Sequence, residues 1–235
     1  MQRSSGMMGL IMSQSARISA DRILYQDEHF LAVHKLSGEL VVRGKGPVGK
    51  LPLLDFLKKD FPGLRPVNRL DFETSGVVLF ARTKAALAAM MPGGSEEDLH
   101  VRKTYCALVS GAPPLSQGTI RTPLPARASK ELIPAETKYR VLERFDTVTF
   151  VEAEFTSGRH HQIRKHFQSV RCPLILDPLY GNAKANVAFT KAYKYRKFFL
   201  HASRLSFLHP FTKQEVKIEA PLPRIFQEVL KKLEK

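Results

Sequence analysis

In the stretch RPVNRLDFETSGVVLFARTK, residues 65 to 84, Arg69 and Asp71 stand two positions apart, just ahead of Thr74-Ser75-Gly76 and an apolar run. In an extended segment alternate side chains share a face, so Arg69 and Asp71 are expected to point together while Leu70 turns to the core. A neighbouring cation favours the ionised carboxylate, and an ionised carboxylate held in a cleft is a nucleophile. On a surface turn the same two residues make an exposed ion pair of little energetic consequence, so Arg-x-Asp alone does not decide. A second cluster is SGRHHQIRKHF, residues 157 to 167. Gly158 permits a turn, and the residues after it open a helix whose N-terminus attracts anions. Arg159, Arg164 and Lys165 supply cations, and helical spacing puts His160 with Arg164 and Ile163 with Phe167. Third, Lys103-Thr104-Tyr105 opens a strand with Lys103 and Tyr105 on one face. A base can stack on the ring while the ammonium meets phosphate, although a core tyrosine with its hydroxyl at the rim has the same pattern.

Other chemistries fit less well. The three histidines at 160, 161 and 166 have no HExxH spacing and no cysteine close by, so a metal site is not expected. GKGPVGK, residues 44 to 50, matches the start of a phosphate-binding loop, but Leu51 stands where a magnesium-holding Ser or Thr belongs. Cys106 and Cys172 are too far apart for a CxxC motif, and the chain reads as reduced and cytoplasmic.

The elements that must carry these residues follow from periodicity. RILYQDEHFLAVHK and ETKYRVLERF–TVTFVEAEF read as hairpins, and in the latter Val151, Ala153 and Phe155 alternate with Glu152 and Glu154. GELVV, GVVLFAR, KTYCALVSG, FFLHASRLSFL and QEVKIEAP read as strands. LLDFLKKDF, KAALAAMM with Thr83 as its N-cap, RHHQIRKHFQSV and RIFQEVLKKLEK read as helices. Residues 112 to 135 read as loop or short ribbon. Hairpins dominate over βαβ units, which predicts an α+β fold with a largely antiparallel sheet. Residues 1 to 20 read as a tail outside one domain over 21 to 235. The acid-poor, Ser-rich tail fits an organelle presequence, and Met12 offers an alternative start.

The 37 Lys and Arg against 22 Asp and Glu leave a net charge of +15, which predisposes the chain to polyanions, nucleic acid first. No apolar run is long enough to span a bilayer.

Taken together the motifs resemble one family. NRLDFETSGVVLFAR resembles the HRLDxxTSGxxxxAK signature of RluA-type pseudouridine synthases, KTYCALVSG the KxYxAxVxG strand, and SGRHHQIRKHF the TGRxHQIRxH element. LILDPLYG and LHASRLSFLHPFT are similar to the family's PIxGDxLYG and LHAxxLxFxHPxT segments, so the likeness runs from about residue 22 to about residue 220. The resemblance implies a central mixed, largely antiparallel sheet with a basic cleft. It implies isomerisation of a uridine in tRNA or rRNA with no cofactor, metal or nucleotide; oligomeric state stays open, with a monomer the default for this short form. It makes Asp71 the nucleophile, attacking C1′ of the sugar or C6 of the base, with Arg164 as its partner and Tyr105 stacked on the uracil. Ile163 would pack near the base and Arg69 would enter the space left by the flipped nucleotide, whose extrusion costs a few kcal/mol. Lys191, Lys194, Arg196 and Lys197, interleaved with Tyr193 and Tyr195, then become RNA-backbone contacts, or else a solvated face.

Two departures stand out: Asn68 replaces the usual His, and Leu176 replaces the Gly before Asp177. Many relatives carry an amino-terminal S4-type domain, and with about twenty residues ahead of the match, recognition is expected to fall to the catalytic domain. A non-catalytic RNA-binding or RNA-chaperone protein on the same scaffold is the alternative. Binding alone needs the cations but not the Asp71 carboxylate, which favours the enzyme.

Overall fold

The computed structural model describes residues 18–44, 51–91, 101–126, 131–156 and 158–235. In chain order the elements are β1 (Ile23–Gln26), β2 (Phe30–Lys35), α1 (Leu53–Leu57), β3 (Arg65–Pro66), β4 (Ser75–Ala81) and α2 (Lys84–Ala89). Then come β5 (Arg102–Ser110), β6 (Gln117–Ile120), β7 (Leu124–Pro125), β8 (Leu132–Ile133), β9 (Thr137–Arg144) and β10 (Val148–Phe155). The chain closes with α3 (Gln162–Ser169), α4 (Ala183–Tyr193), β11 (Leu200–Leu208), β12 (Glu215–Glu219) and α5 (Arg224–Leu233). The fold is α+β, as expected. The main sheet runs β1-β2-β4-β11-β5-β10-β9-β6, with β12 on β11 and β3 on β4. Among the described residues its pairs are antiparallel except β4 with β11.

The β2–β4 pair shows why these residues form a central sheet. Both strands are buried along their whole length, and the two-residue period sends alternate side chains into two separate cores. Phe30, Ala32, Val77 and Leu79 pack with Leu205, Phe207 and Ile218 on one face. Leu31, Val33, Val78 and Phe80 pack with Leu53 and Leu57 of α1 on the other. A third core, under α3, α4 and α5, gathers Leu108, Val151, Phe167, Phe189 and Phe226. Where β4 meets β11, Gly76 has φ +121°, and a Cβ there would lie 2.2 Å from the Ala202 carbonyl oxygen. Only glycine lets the strands close at this point.

Several expectations need correction. GELVV is not a strand: Gly38 turns with φ +84°, and its amide donates to the Phe72 carbonyl at 2.8 Å. Strand propensity gives way here to contact with the loop that carries Asp71. Helix α4 was not anticipated. It buries only Phe189 fully, so its apolar pattern is weak, and the Asn182 side chain caps it by accepting from the Ala185 amide at 3.0 Å. Ile18, assigned to the tail, packs against the core beside α1. The rest of the tail, residues 1–17, and most of GKGPVGK lie outside the described residues.

Candidate active site

The nucleophile candidate sits in a loop, not in the extended strand expected for it. Asp71 closes a turn in which its carbonyl accepts from the Thr74 amide at 3.1 Å. The loop is braced from below by Lys35, the last residue of β2. Its ammonium, fully buried, donates to the carbonyls of Leu36 (3.1 Å), Phe72 (3.1 Å) and Thr74 (2.6 Å). Burial, only partly offset by Glu39 and Asp71, lowers the Lys35 pKa to about 8. Asn68, the departure from the family pattern, holds the loop to β4 by accepting from the Leu79 amide at 2.7 Å.

The cation facing Asp71 is Arg164. Its Nη1 donates to Asp71 Oδ2 at 3.0 Å, while Nε and Nη2 grip both oxygens of Asp177 at 2.6 and 2.9 Å. The guanidinium lies over the rings of both Tyr180 and Phe198, 5.1 and 4.8 Å from their centroids. Burial works against both charges of the Arg164–Asp177 pair. It is outweighed by their mutual hydrogen bonds and, for Asp177, by the Leu179 and Tyr180 amides. The Arg164 pKa therefore rises, the Asp177 pKa falls, and both stay charged. Arg69 is exposed and makes no ion pair among the described residues, so the cation next to Asp71 in sequence is not its partner in space.

His161 completes the constellation. It takes a left-handed conformation, φ +56°, at the entrance to α3, which begins at Gln162. His160 therefore precedes the helix and does not share a helical face with Arg164. His161 places Nε2 3.5 Å from Asp71 Oδ1 and Nδ1 3.1 Å from the Tyr180 hydroxyl. Burial, with Asp71 opposing and Arg164 assisting, lowers its pKa to about 4, so the ring is neutral at neutral pH. The third histidine of the cluster, His166, is buried against Thr137 Oγ1 and the Thr122 carbonyl and anchors α3. Among the described residues no group of His, Cys, Asp and Glu is placed to hold a metal ion.

Asp71, His161 and Arg164 line a cavity of about 120 Å³ together with Arg69, Leu70, Lys103, Tyr105, Phe155, Arg159 and Ile163. Tyr105 stacks on Phe155, with 5.2 Å between centroids. Burial, then the charge of Asp71, raises its pKa, so the hydroxyl keeps its proton. Lys103 lies 5.9 Å over the Phe155 ring, and burial lowers its pKa. Of the residues singled out in the sequence, the structure brings Asp71, Tyr105, Arg164, Arg69, Ile163, Arg159 and Lys103 to this one cavity. Lys191, Lys194, Arg196 and Lys197 lie elsewhere. Lys194, Arg196 and Lys197 rim a larger cavity of about 610 Å³, over Phe198, Phe199 and Phe226, that touches the first through Leu200. Lys191 lies in a shallower depression beside Lys194 and Arg196. Sequence reasoning missed Asp177, His161, Tyr180, Phe155 and Lys35 as parts of the site. A carboxylate in LILDPLYG, the segment similar to the family's PIxGDxLYG, was the available signal for Asp177.

The site thus sets a half-buried carboxylate on a buried arginine, beside the aromatic wall of Tyr105 and Phe155. The chain matches the RNA pseudouridylate synthase family over residues 29–169. It is 34% identical over 221 residues to the ribosomal large subunit pseudouridine synthase C of Vibrio vulnificus, covering 91% of this chain and 69% of that protein. Against the Escherichia coli enzyme of the same name it is 35% identical over 232 residues, covering 94% and 72%. Among solved structures, human RNA Pseudouridylate Synthase Domain Containing 4 superposes with a TM-score of 0.73 at 25% identity, covering 90% of this chain and 92% of that one. The chain belongs to the RNA pseudouridylate synthase family: it isomerises uridine in RNA to pseudouridine.

Proposed function

We propose that the RNA is large-subunit ribosomal RNA, that Asp71 is the nucleophile, and that Arg164 and Tyr105 complete the catalytic set. The ion pair of Asp71 with Arg164, 3.0 Å long inside the cavity, is the observation that carries this reading. A target uridine leaves its stack, the cavity receives it, and Asp71 adds at C1′ or at C6. On either route the bond between N1 and C1′ breaks, a bond between C5 and C1′ forms, C5 gives up its proton and N1 gains one. Arg164 stabilises the carboxylate and orients it, because Asp177 fixes the guanidinium from the far side. Tyr105 stacks on the uracil as a neutral ring, Ile163 packs against it, and Arg69 moves into the vacated place in the RNA. Lys103 and Arg159 meet phosphate at the rim.

Lys191, Lys194, Arg196 and Lys197 extend the RNA footprint along the neighbouring cavity. The enzyme works as a cytoplasmic monomer on one domain that includes Ile18, without a cofactor; no helix among the described residues is long and apolar enough to cross a membrane. Ribosomal RNA is favoured over transfer RNA by the relatives' names. The test is to incubate purified protein with large-subunit ribosomal RNA and with transfer RNA, both transcribed without pseudouridine, and to map new pseudouridines by carbodiimide labelling and primer extension. Sites in ribosomal RNA alone are expected; sites confined to transfer RNA would overturn the substrate assignment.

A further inference from the structure

We propose that the groove beside the catalytic cavity is a subsite for the nucleotide next to the target uridine, and that Phe72 is the platform on which that base stacks. The inference rests on the uridine-isomerising reading of the site and adds to it a residue that sets affinity for the flanking sequence. The groove encloses about 720 Å³ and shares Arg69, Asp71, Arg159 and His161 with the catalytic cavity, so a strand leaving the one enters the other. Phe72 and Met91 form an apolar wall and are 49% and 53% exposed. Arg43, exposed and 3.6 Å from Asp55, adds a cation to those of Arg69 and Arg159. Cations flanking an aromatic ring that has no ring partner among the described residues are what a single RNA strand requires: charge for the backbone and a π-face for the base.

The exposure of Phe72 is not slack in the loop. Its carbonyl accepts from both the Gly38 amide (2.8 Å) and the Lys35 ammonium (3.1 Å), so the backbone that presents the ring is fixed on the buried side. A large apolar side chain presented to water by a rigid backbone, one residue after the nucleophile, is placed to meet the neighbour of whatever Asp71 attacks. Preorganisation of this kind lowers the cost of ordering the contact.

The experiment uses the full chain and a synthetic hairpin RNA carrying the uridine mapped in ribosomal RNA, with tritium release from C5 as readout. Phe72→Ala is expected to raise KM by about 5- to 150-fold, the range for one lost base stack, with kcat near that of the parent and an unchanged melting temperature. Phe72→Tyr should restore KM and Phe72→Leu should not, since leucine is apolar but has no π-face. Replacing one flanking nucleotide with an abasic ribose should weaken the parent to the level of Phe72→Ala and leave Phe72→Ala unaffected. An unchanged KM for Phe72→Ala, full rescue by Phe72→Leu, or additive losses on abasic RNA would overturn the inference while the isomerase reading stands. No tritium release by the parent would overturn both.

Discussion

Asp177→Asn tests the frame of the site more sharply than any change at Asp71. The side chains of Arg164 and Asp177 are 5% and 0% exposed, so solvent screens their interaction little. Removing one partner of such a pair strands a buried charge and costs about 3–5 kcal/mol. The asparagine oxygen can still accept from the Leu179 and Tyr180 amides, which now bond Asp177 Oδ1 at 2.9 and 3.0 Å. Its amide nitrogen then faces Arg164 Nε, donor against donor. Asp71, whose side chain is 30% exposed, remains as the sole carboxylate on the guanidinium. The expected loss is therefore at the lower end, about 3 kcal/mol, and at about 2–4 °C per kcal/mol for a chain of this size the melting temperature should fall by about 6–12 °C. Turnover should drop about 100-fold as Arg164 loses the anchor that aims Asp71. Asp71→Asn, measured by the same calorimetry, should cost less than about 1 kcal/mol because that end of the network is open to water. A loss below 1 kcal/mol for Asp177→Asn, or an equal loss for Asp71→Asn, would refute the claim that Asp177 is the anchor.

Lys35→Met should cost about 2–4 kcal/mol in urea unfolding and lower kcat, because three carbonyls around the Asp71 loop lose a charged donor; an unaltered kcat would show that the loop needs no brace. His161 and His201 are both held neutral in the fold, with pKa values lowered from 6.5 to about 4, mainly by burial. The unfolded chain binds more protons than the fold between those values, so stability is full above pH 6.5 and is lost as pH falls toward 4. The urea midpoint should be lower at pH 5.0 than at pH 7.5, and an equal or higher midpoint would contradict the burial of these rings. Leu176 is buried with φ +66°, a conformation that costs a non-glycine residue about 1–2 kcal/mol. Leu176→Gly gives up the same kind of buried side chain as Leu174→Gly but relieves that strain, so it should be cheaper by at least about 1 kcal/mol; equal losses would refute it.

How much of this was legible in the sequence depends on what kind of signal each residue leaves. Apolar runs and alternation marked β4 and the β9–β10 hairpin, and the Thr83 cap is present as a 3.0 Å bond from the Ala86 amide. That Asp71, Tyr105 and Arg164 gather at one cavity was foreshadowed because they sit in three short motifs, each on a turn or strand edge. What escaped was tertiary. Asp177 follows Arg164 by thirteen residues, and nothing local says that the chain folds back to pair them. Lys35 ends an apolar strand like any edge lysine, and only the closed sheet shows its ammonium turned inward. Local spacing set Arg69 beside Asp71, and only the family resemblance, not the spacing, pointed to Arg164 as the partner. The loop geometry, set by Asn68 and Lys35, leaves the role to an arginine ninety-three residues away.

The most direct measurement is tritium release from C5-labelled, pseudouridine-free ribosomal RNA by the parent protein and by Asp71→Asn side by side, with RNA binding followed in parallel. Release by the parent, none by Asp71→Asn, and comparable binding by both are expected. Release by Asp71→Asn at the parent's rate would contradict the assignment of Asp71 as the nucleophile.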